Sequence, residues 1–116
     1  PTFMMDAAKV ALECEDSVQE FNGEYRKRRD LMTEGLSSIP GIRVPEPEGA
    51  FYVFADVTGT GMTDIEFADG ALEAGVQLIP ASLITGGEGF VRISYAADEE
   101  DIMEGLRRLK SWLLQE

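Results

Sequence analysis

Arg92 is the residue whose type fits its surroundings least. It stands in the middle of residues 86–96 (GGEGFVRISYA), a run whose aromatic and β-branched side chains predict a strand. Side chains alternate between the two faces of a strand, so Arg92 shares a face with Phe90 and Ser94. The opposite face carries Val91, Ile93 and Tyr95. A planar guanidinium in this position has the chemistry to hold a carboxylate through two parallel hydrogen bonds.

Two interpretations of Arg92 are open at this point. In the first, its face of the strand meets water and the guanidinium pairs with a nearby carboxylate of the same chain. In the second, Arg92 points into a cleft and binds an anionic ligand. Strand periodicity by itself favours the first interpretation.

A second group of cations, residues 26–29 (RKRR), raises the question of nucleic-acid binding. Four consecutive positions surround a helix instead of forming one basic stripe along it. The net charge of −12 also repels nucleic acid and anionic membranes. We therefore predict a solvated helix surface whose cations form local ion pairs. The predicted partners are the carboxylates of Glu20, Glu24 and Asp30.

The other candidate groups predict no complete catalytic machinery and no metal site. The glycines of residues 86–89 precede a strand, whereas a phosphate-binding glycine loop precedes a helix, so we predict turn residues with positive φ. The carboxylates of residues 98–101 (DEED) stand where acidic residues favour the start of a helix. Cys14 is the only cysteine and the chain has no histidine, which removes the usual ligands of a soft metal and the usual base for a thiol.

Two helices are predicted before the first strand. The first rests on the helical spacing of apolar side chains in residues 7–14. The second begins at a capping box formed by Ser17 and Glu20 and stops at residues 40–41 (PG). Its apolar side chains near one face are Phe21, Tyr25, Met32 and Leu36.

Strands are predicted at residues 42–44, 50–57, 76–80 and 90–96 from their apolar, aromatic and β-branched content. Between the second and third strands, Thr63 and Glu66 form a capping box for a short helix that ends at Gly75. The apolar stripe predicted for that helix is Ile65, Ala68 and Leu72.

The last helix is predicted to begin at residues 98–101 and to end near Arg107, Arg108 and Lys110, where cations complement the helix dipole. Its core stripe is Ile102, Leu106, Leu109 and Leu113. The predicted order α, α, β, β, α, β, β, α indicates an α+β fold, a small and mainly antiparallel sheet packed with helices in a two-layer sandwich.

The 116 residues fit a single domain, residues 1–116. The chain starts at Pro1 without an initiator methionine, which indicates a processed form or a piece of a longer protein. It has no apolar run long enough to span a membrane and no secretory signal pattern, so we expect a cytoplasmic protein. Its 22 acidic residues against 10 basic ones indicate either a protein kept soluble in high salt or an ordinary acidic bacterial protein.

Four segments, in order and spacing, resemble the class I aminotransferases of the aspartate aminotransferase type, which depend on pyridoxal 5'-phosphate. The segments are PEGAFYVFADV (residues 47–57), LEAGVQLIPASLI (72–84), GGEGFVRISYA (86–96) and DIMEGLRRLKSWL (101–113). Residues 7–12, 25–36 and 40–54 are similar to the family as well. The resemblance implies the C-terminal small domain of a longer, homodimeric enzyme whose large, cofactor-binding domain is absent from these residues.

The resemblance also implies a role for Arg92, which matches the family's arginine that grips the α-carboxylate of the substrate. Phe51 lies in the GAF segment that is near the substrate in the family. The lysine context SxSK and the phosphate-binding GxRxG motif are missing, so the cofactor is expected on the large domain and residues 1–116 alone are expected to be inactive. Ala81 stands where the family often has Pro-Gly, and the loop after it is slightly short.

The enzyme implied by the resemblance transfers an amino group between an α-amino acid and a 2-oxo acid. The alternative is a free-standing α+β domain that binds a ligand or a partner and has no catalytic activity.

Overall fold

The structure, a computed structural model, describes residues 1–115, which form five α-helices and three β-strands. The helices are α1 (Thr2–Ala11), α2 (Glu15–Ser37), α3 (Asp64–Glu73), α4 (Ser82–Thr85) and α5 (Glu99–Leu114). The strands are β1 (Tyr52–Asp56), β2 (Ile79–Pro80) and β3 (Phe90–Ser94). None of the helices in these residues has the length and apolar character needed to cross a membrane.

The three strands form one antiparallel sheet in the order β1-β3-β2. The last strand in the chain is therefore the middle strand of the sheet. Its central residue, Arg92, lies opposite Phe54 of β1 and Ile79 of β2. The site residue identified from the sequence thus has a strand on each side.

The hydrophobic core lies between one face of this sheet and helices α2, α3 and α5. Helix α2 packs against α5 and β1, and α3 packs against β2 and β3. The core side chains of the helices are Met32, Leu36, Phe67, Ala68, Ala71, Ile102 and Leu109. The strands contribute Val53, Ala55, Val91 and Ile93. This arrangement confirms the predicted α+β fold with a small antiparallel sheet.

Helix α2 differs from the prediction at its start. It begins at Glu15, two residues before Ser17, and its N-cap Cys14 makes no side-chain capping bond. Ser17 therefore lies inside the first turn, where its hydroxyl cannot act as an N-cap, and the predicted capping box is wrong. Gln19 instead donates a side-chain hydrogen bond of 2.8 Å to the Glu15 carboxylate.

The apolar face predicted for α2 reaches the core only in its second half. Met32 and Leu36 are buried, whereas Phe21 and Tyr25 are exposed. Helix α1 has no buried side chain, and residues 1–22 are exposed throughout. These two helical segments extend away from the core, which gives the molecule dimensions of 52 × 29 × 23 Å.

Helix α3 confirms one local prediction and corrects another. Thr63 and Glu66 form the complete capping box, and Gly75 ends the helix with a φ of 82°. The buried face of α3, however, is not the predicted stripe. Of the three residues predicted for it, Ile65 and Leu72 are exposed. The reason is Phe67, which is fully buried and packs edge-on against Trp112 of α5 at 5.3 Å. The other core residues of this face are Ala68 and Ala71.

All four predicted strands are shorter in the structure, and those at residues 42–44 and 76–80 are the most reduced. Residues 42–44 make a single bridge, in which Arg43 and Asp56 exchange backbone hydrogen bonds, because the prolines that follow cannot donate to a ladder. The strand predicted at residues 76–80 is reduced to β2. The loop after it contains α4, which was not predicted. The backbone N–H of Ser82 at the start of α4 donates to the buried carboxylate of Asp64 at 2.9 Å.

Helix α5 starts as predicted, with three acidic residues in its first turn. It continues to Leu114, so Arg107 and Arg108 are not in its last turn and do not serve its dipole as predicted. Both instead donate to the carboxylate of Glu104, at 2.7 Å and 2.8 Å respectively. Of the predicted core stripe, Ile102 and Leu109 are buried. The other two residues, Leu106 and Leu113, are partly buried against the core.

Candidate functional site

Arg92 lies on the face of the sheet that turns away from the core. Its neighbours Val91 and Ile93 are 0% and 5% exposed, whereas Arg92 is half-buried and Phe90 and Ser94 are exposed. This is the alternation predicted for β3. The guanidinium is therefore on a face that the helices of residues 1–115 do not cover.

The guanidinium of Arg92 forms no ion pair with a carboxylate of residues 1–115. The intramolecular pairing that periodicity alone favoured is thus not formed. Its Cζ instead lies over the ring of Tyr52, 5.2 Å from the ring centroid. An aromatic face attracts a cation, but it does not accept hydrogen bonds from the in-plane N–H groups of a guanidinium as a carboxylate does. The charge of Arg92 is stabilised while its hydrogen-bonding edge stays available.

Two further aromatic side chains, Phe51 and Phe54, contact the Tyr52 ring. The ring of Tyr52 meets that of Phe51 at 5.4 Å and that of Phe54 at 5.8 Å, both at an interplanar angle of 89°. Edge-to-face contacts of this kind are favoured by the ring quadrupoles. Phe54 is also the cross-strand neighbour of Arg92. These contacts fix the Tyr52 ring, over which the guanidinium of Arg92 lies.

The backbone around Phe51 is held to the end of β3. The carbonyl of Phe51 accepts a 2.8 Å hydrogen bond from the backbone N–H of Tyr95. The preceding residue, Ala50, has a φ of 65°, which is uncommon for a residue with a Cβ, and its carbonyl accepts a 2.8 Å hydrogen bond from the Tyr95 hydroxyl. These contacts fix the turn that places Phe51 beside Tyr52, with 52% of Phe51 exposed.

On its other side Phe51 lines a cavity of about 390 Å³ between α2 and residues 47–51. Tyr25 and Tyr95 line the same cavity, and burial raises the pKa of Tyr95. Arg29 also faces it and donates to Asp30; this hydrogen bond raises the pKa of Arg29. Phe51 therefore contributes to two surfaces, the aromatic cluster around Arg92 and this cavity.

The basic run of α2 is only partly the solvated surface that was predicted. Lys27 pairs with Glu24 at 3.4 Å and Arg29 with Asp30 at 2.9 Å, as expected from the sequence. Arg29 also reaches Glu46 at 3.2 Å, and Arg28 reaches Asp98 at 3.9 Å. The side chains of Arg28 and Arg29 are only 23% and 20% exposed. Glu20 takes part in none of these pairs.

The glycines before β3 are turn residues, as predicted for two of the three. Gly86 and Gly89 have φ values of 74° and 84°, whereas Gly87 does not have a positive φ. The backbone carbonyl of Gly89 accepts a hydrogen bond from Val57 at 3.0 Å. The turn thereby ties the start of β3 to the end of β1.

Asp56 at the end of β1 is a buried carboxylate that the sequence reasoning did not single out. The hydroxyl of Thr58 donates to it at 2.6 Å, and its backbone N–H donates at 3.0 Å. Arg43 pairs with the second carboxylate oxygen. Hydrogen bonds from the Thr58 side chain, then from Arg43, hold the pKa of Asp56 at about 2. The sequence pattern that could have predicted this site is an aspartate two residues before a threonine. In such turns the aspartate side chain accepts a hydrogen bond from the backbone two residues later.

Tyr52 is the residue at the site that sequence reasoning missed. The run of residues 50–57 predicts a strand with Tyr52 and Phe54 on one face. The contact with Arg92 depends on the register between β1 and β3, which those residues alone do not determine.

Comparison with known proteins identifies relatives over nearly the whole chain. The chain is 42% identical over 117 residues to an aspartate aminotransferase of Pyrococcus horikoshii, a match that covers 97% of this chain and 30% of the relative. A probable aspartate/prephenate aminotransferase of Aquifex aeolicus is 40% identical over 119 residues, again with 97% and 30% coverage. The chain thus spans about 30% of the length of these curated relatives. No family model matches the sequence.

Solved structures show the same relationship in three dimensions. The aromatic aminotransferase of Pyrococcus horikoshii superposes with a TM-score of 0.81 at 36% identity, covering 86% of this chain and 27% of that one. The aspartate aminotransferase of Rhizobium meliloti gives a TM-score of 0.80 at 34% identity, with coverages of 84% and 27%. Sequence and fold therefore agree on one class of enzyme, the aminotransferases.

The chain belongs to the class I aminotransferases, as their C-terminal small domain. This confirms the family resemblance noted from the sequence. The alternative of a free-standing binding or interaction domain is not favoured, because the relatives named above are aminotransferases.

Proposed function

We propose that this chain binds the α-carboxylate of an amino-acid or 2-oxo-acid substrate through Arg92, within an enzyme that transfers an amino group between the two. The observation that carries the proposal is the state of Arg92 itself. It is half-buried on the middle strand, forms no ion pair with residues 1–115 and is stabilised by the Tyr52 ring. A guanidinium held in this way retains the donors needed for an anionic ligand.

The geometry of a guanidinium suits this task. Arginine presents parallel N–H donors in a rigid plane that matches the two oxygens of a carboxylate. A two-point contact fixes both the position and the orientation of the substrate, including its Cα, relative to the reacting groups. Phe51, exposed beside Tyr52, is proposed to contact the same substrate as an apolar wall.

The cofactor of the enzyme is proposed to be pyridoxal 5'-phosphate, in keeping with its aminotransferase relatives. When bound, this group acts as the electron sink that stabilises a carbanion at the substrate Cα. The residues of this chain do not fit a site for it. Lys9, Lys27 and Lys110 all lie on helices, Lys27 pairs with Glu24, and the strands contain no lysine. We therefore assign the cofactor site to a large domain outside these residues.

The projecting helices support the presence of such a large domain. Phe3, Met5 and Leu12 are exposed, as is Phe21 of α2, so the core of residues 1–115 covers none of these apolar side chains. Several large apolar side chains exposed on neighbouring helical segments favour a surface that another part of the protein covers. We propose that the large domain packs on α1 and the first half of α2, in a cytoplasmic, homodimeric enzyme.

The small domain is proposed to move as a lid over the substrate. Binding of the carboxylate by Arg92 would then favour the closed arrangement, in which water is excluded from the reacting groups.

Binding of a dicarboxylate tests the central proposal. The probe is maleate, a dicarboxylate present in a solved aspartate aminotransferase of Thermus thermophilus. Calorimetric titration of the full-length enzyme that carries this domain should show maleate binding for the wild type and a loss of about tenfold or more for Arg92→Ala. Arg107→Ala is the control, because Arg107 lies on α5 and pairs with Glu104. Equal affinities of wild type and Arg92→Ala would overturn the proposal.

A further inference from the structure

We propose that Tyr52 is a positioning residue for the carboxylate site: its ring holds the guanidinium of Arg92 in place and leaves the N–H donors for the substrate. The inference rests on the proposed function of Arg92 and adds a second residue to it. Tyr52 is assigned no contact with the substrate.

The first observation is the contact itself. The Cζ of Arg92 lies 5.2 Å from the centroid of the Tyr52 ring, inside the range of about 6 Å over which an aromatic face attracts a cation appreciably. Tyr52 lies opposite Ser94, and Arg92 lies opposite Phe54, so Tyr52 and Arg92 are diagonal neighbours on one face of the sheet. Long side chains on such diagonal positions reach each other.

The second observation is that the Tyr52 ring is itself fixed. Phe51 and Phe54 each make a T-shaped contact with it, with ring centroids 5.4 Å and 5.8 Å away. A ring without such neighbours would adopt several rotamers and would hold the guanidinium poorly. The β1–β3 ladder sets the spacing of the whole group, since Phe54 faces Arg92 directly.

The third observation concerns the type of partner. A carboxylate beside Arg92 would occupy the in-plane donors that a substrate carboxylate needs, whereas an aromatic face contacts the guanidinium without taking those donors. The hydroxyl of Tyr52 donates to no acceptor in residues 1–115, so the ring is the part of the side chain that acts on Arg92. Tyr52 thus stabilises the arginine without competing with the ligand.

A double-mutant cycle on maleate affinity tests the inference. The full-length enzyme is prepared as wild type, Tyr52→Leu, Tyr52→Phe, Arg92→Ala and the Tyr52→Leu/Arg92→Ala double variant. Tyr52→Leu removes the ring and should raise the Kd for maleate about threefold to tenfold. Tyr52→Phe keeps the ring and should stay within about twofold of the wild type. In the Arg92→Ala background, Tyr52→Leu should change the Kd by less than about twofold.

Three results would overturn the inference. The first is a Tyr52→Leu enzyme that binds maleate as the wild type does. The second is a Tyr52→Phe enzyme that loses as much affinity as Tyr52→Leu, because the hydroxyl would then be the acting group. The third is an equal loss from Tyr52→Leu with and without Arg92. Thermal unfolding checks that the variants are folded, and Tyr52→Met replaces Tyr52→Leu in the same cycle if the leucine variant does not fold.

The failure of the inference differs from the failure of the proposed function. If Arg92→Ala weakens maleate binding but Tyr52→Leu does not, Arg92 binds the carboxylate and Tyr52 does not position it. If Arg92→Ala leaves the affinity unchanged, the proposed role of Arg92 is wrong and the inference falls with it.

Discussion

The hydroxyl of Tyr95 donates a 2.8 Å hydrogen bond to the backbone carbonyl of Ala50, 45 residues earlier in the chain. Tyr95 follows β3 and Ala50 precedes β1, so this bond lies at one end of the antiparallel strand pair that carries Arg92 and Tyr52. Ala50 holds a left-handed backbone conformation that costs free energy for a residue with a side chain. The Tyr95 hydroxyl stabilises the turn from which Phe51 projects.

Removal of this hydroxyl should weaken the fold measurably. Tyr95→Phe keeps the buried ring and leaves the Ala50 carbonyl without its side-chain donor, so the free energy of unfolding should fall by about 0.5–1.5 kcal/mol. Urea denaturation of the 116-residue chain measures the change. Tyr25→Phe is the matched control, since Tyr25 is exposed and its hydroxyl makes no hydrogen bond within residues 1–115. Equal effects of the two substitutions would show that the Tyr95 bond does not stabilise the turn.

The buried carboxylate of Asp56 should make stability depend on acid pH. Hydrogen bonds from Thr58, then from Arg43, hold its pKa at about 2, below the ordinary 3.8. A carboxyl group whose pKa is lowered by folding stabilises the protein above its unfolded pKa, and this stabilisation is lost as the pH falls through the folded pKa. The stability difference between wild type and Asp56→Asn should therefore shrink as the pH is lowered from about 4 to about 2.

A second variant separates the causes of that shift. Thr58→Val removes the hydroxyl that donates to Asp56 at 2.6 Å, so the pKa of Asp56 should rise and the acid-induced loss of stability should begin at a higher pH. Carboxyl titration followed by NMR, together with urea denaturation at several pH values, measures both effects. An unchanged pKa in Thr58→Val would show that this hydrogen bond does not set it.

The sequence predicted the strand that carries Arg92 better than the helices that precede it. The alternation of side chains in residues 90–94 predicts which of them are buried, because one face of β3 packs on the core. Residues 1–22 are also patterned as helix, but they touch no core, so their apolar spacing did not indicate which face is buried. Phe21 and Tyr25, predicted near the same face of α2 as Met32 and Leu36, are exposed, because only the second half of that face reaches the core.

The parts that sequence reasoning missed depend on contacts between distant segments. Helix α4 starts at Ser82, whose backbone N–H donates to the buried carboxylate of Asp64. Hydrogen bonding from Ser82 lowers the pKa of Asp64. The Tyr52–Arg92 contact requires the register of β1 against β3. Local propensity carries no information on either contact, whereas the Thr63 capping box, which is complete within four residues, was predicted correctly.

Salt should stabilise the chain. Its net charge is −12, and it has only three lysines and seven arginines to offset 22 carboxylates. Repulsion among these carboxylates weakens as the Debye length falls from about 10 Å at 0.1 M to about 3 Å at 1 M salt. The thermal midpoint in KCl should therefore rise over this range. A midpoint that stays flat or falls would contradict both the repulsion argument and the interpretation of the acidic surface as an adaptation to high salt.

The 116-residue chain alone should have no transaminase activity. Its three lysines lie on helices, and its sequence lacks the SxSK context of the family. Mixing the purified chain with pyridoxal 5'-phosphate should leave the absorbance spectrum that of the free cofactor with nonspecific amine adducts, without turnover of amino acids. A stoichiometric, specific spectral change with turnover would show that the chain holds its own cofactor site.

Substitution of Arg92 in the full-length enzyme should change the kinetics in a way that depends on the substrate carboxylate. Arg92→Lys keeps the positive charge but loses the planar pair of donors, so it is not a conservative change at a two-point contact. One hydrogen bond to a charged group contributes roughly 1.5–3 kcal/mol. Its loss should lower kcat/KM for amino acids about tenfold to a hundredfold, and Arg92→Ala should lower it further. Steady-state kinetics with an amino acid and with the matching amine that lacks the α-carboxylate measure the effect.

The amine is the internal control, because an enzyme that has lost only its carboxylate contact should process it as the wild type does. Arg107→Lys is the matched protein control, since Arg107 lies on α5 and bonds to Glu104. Cofactor affinity should also stay nearly constant, because the proposed cofactor site belongs to the large domain. If Arg92→Ala instead kept kcat/KM for amino acids and lowered only the thermal midpoint, Arg92 would serve the stability of the sheet, and its stacking on Tyr52 would be a structural contact.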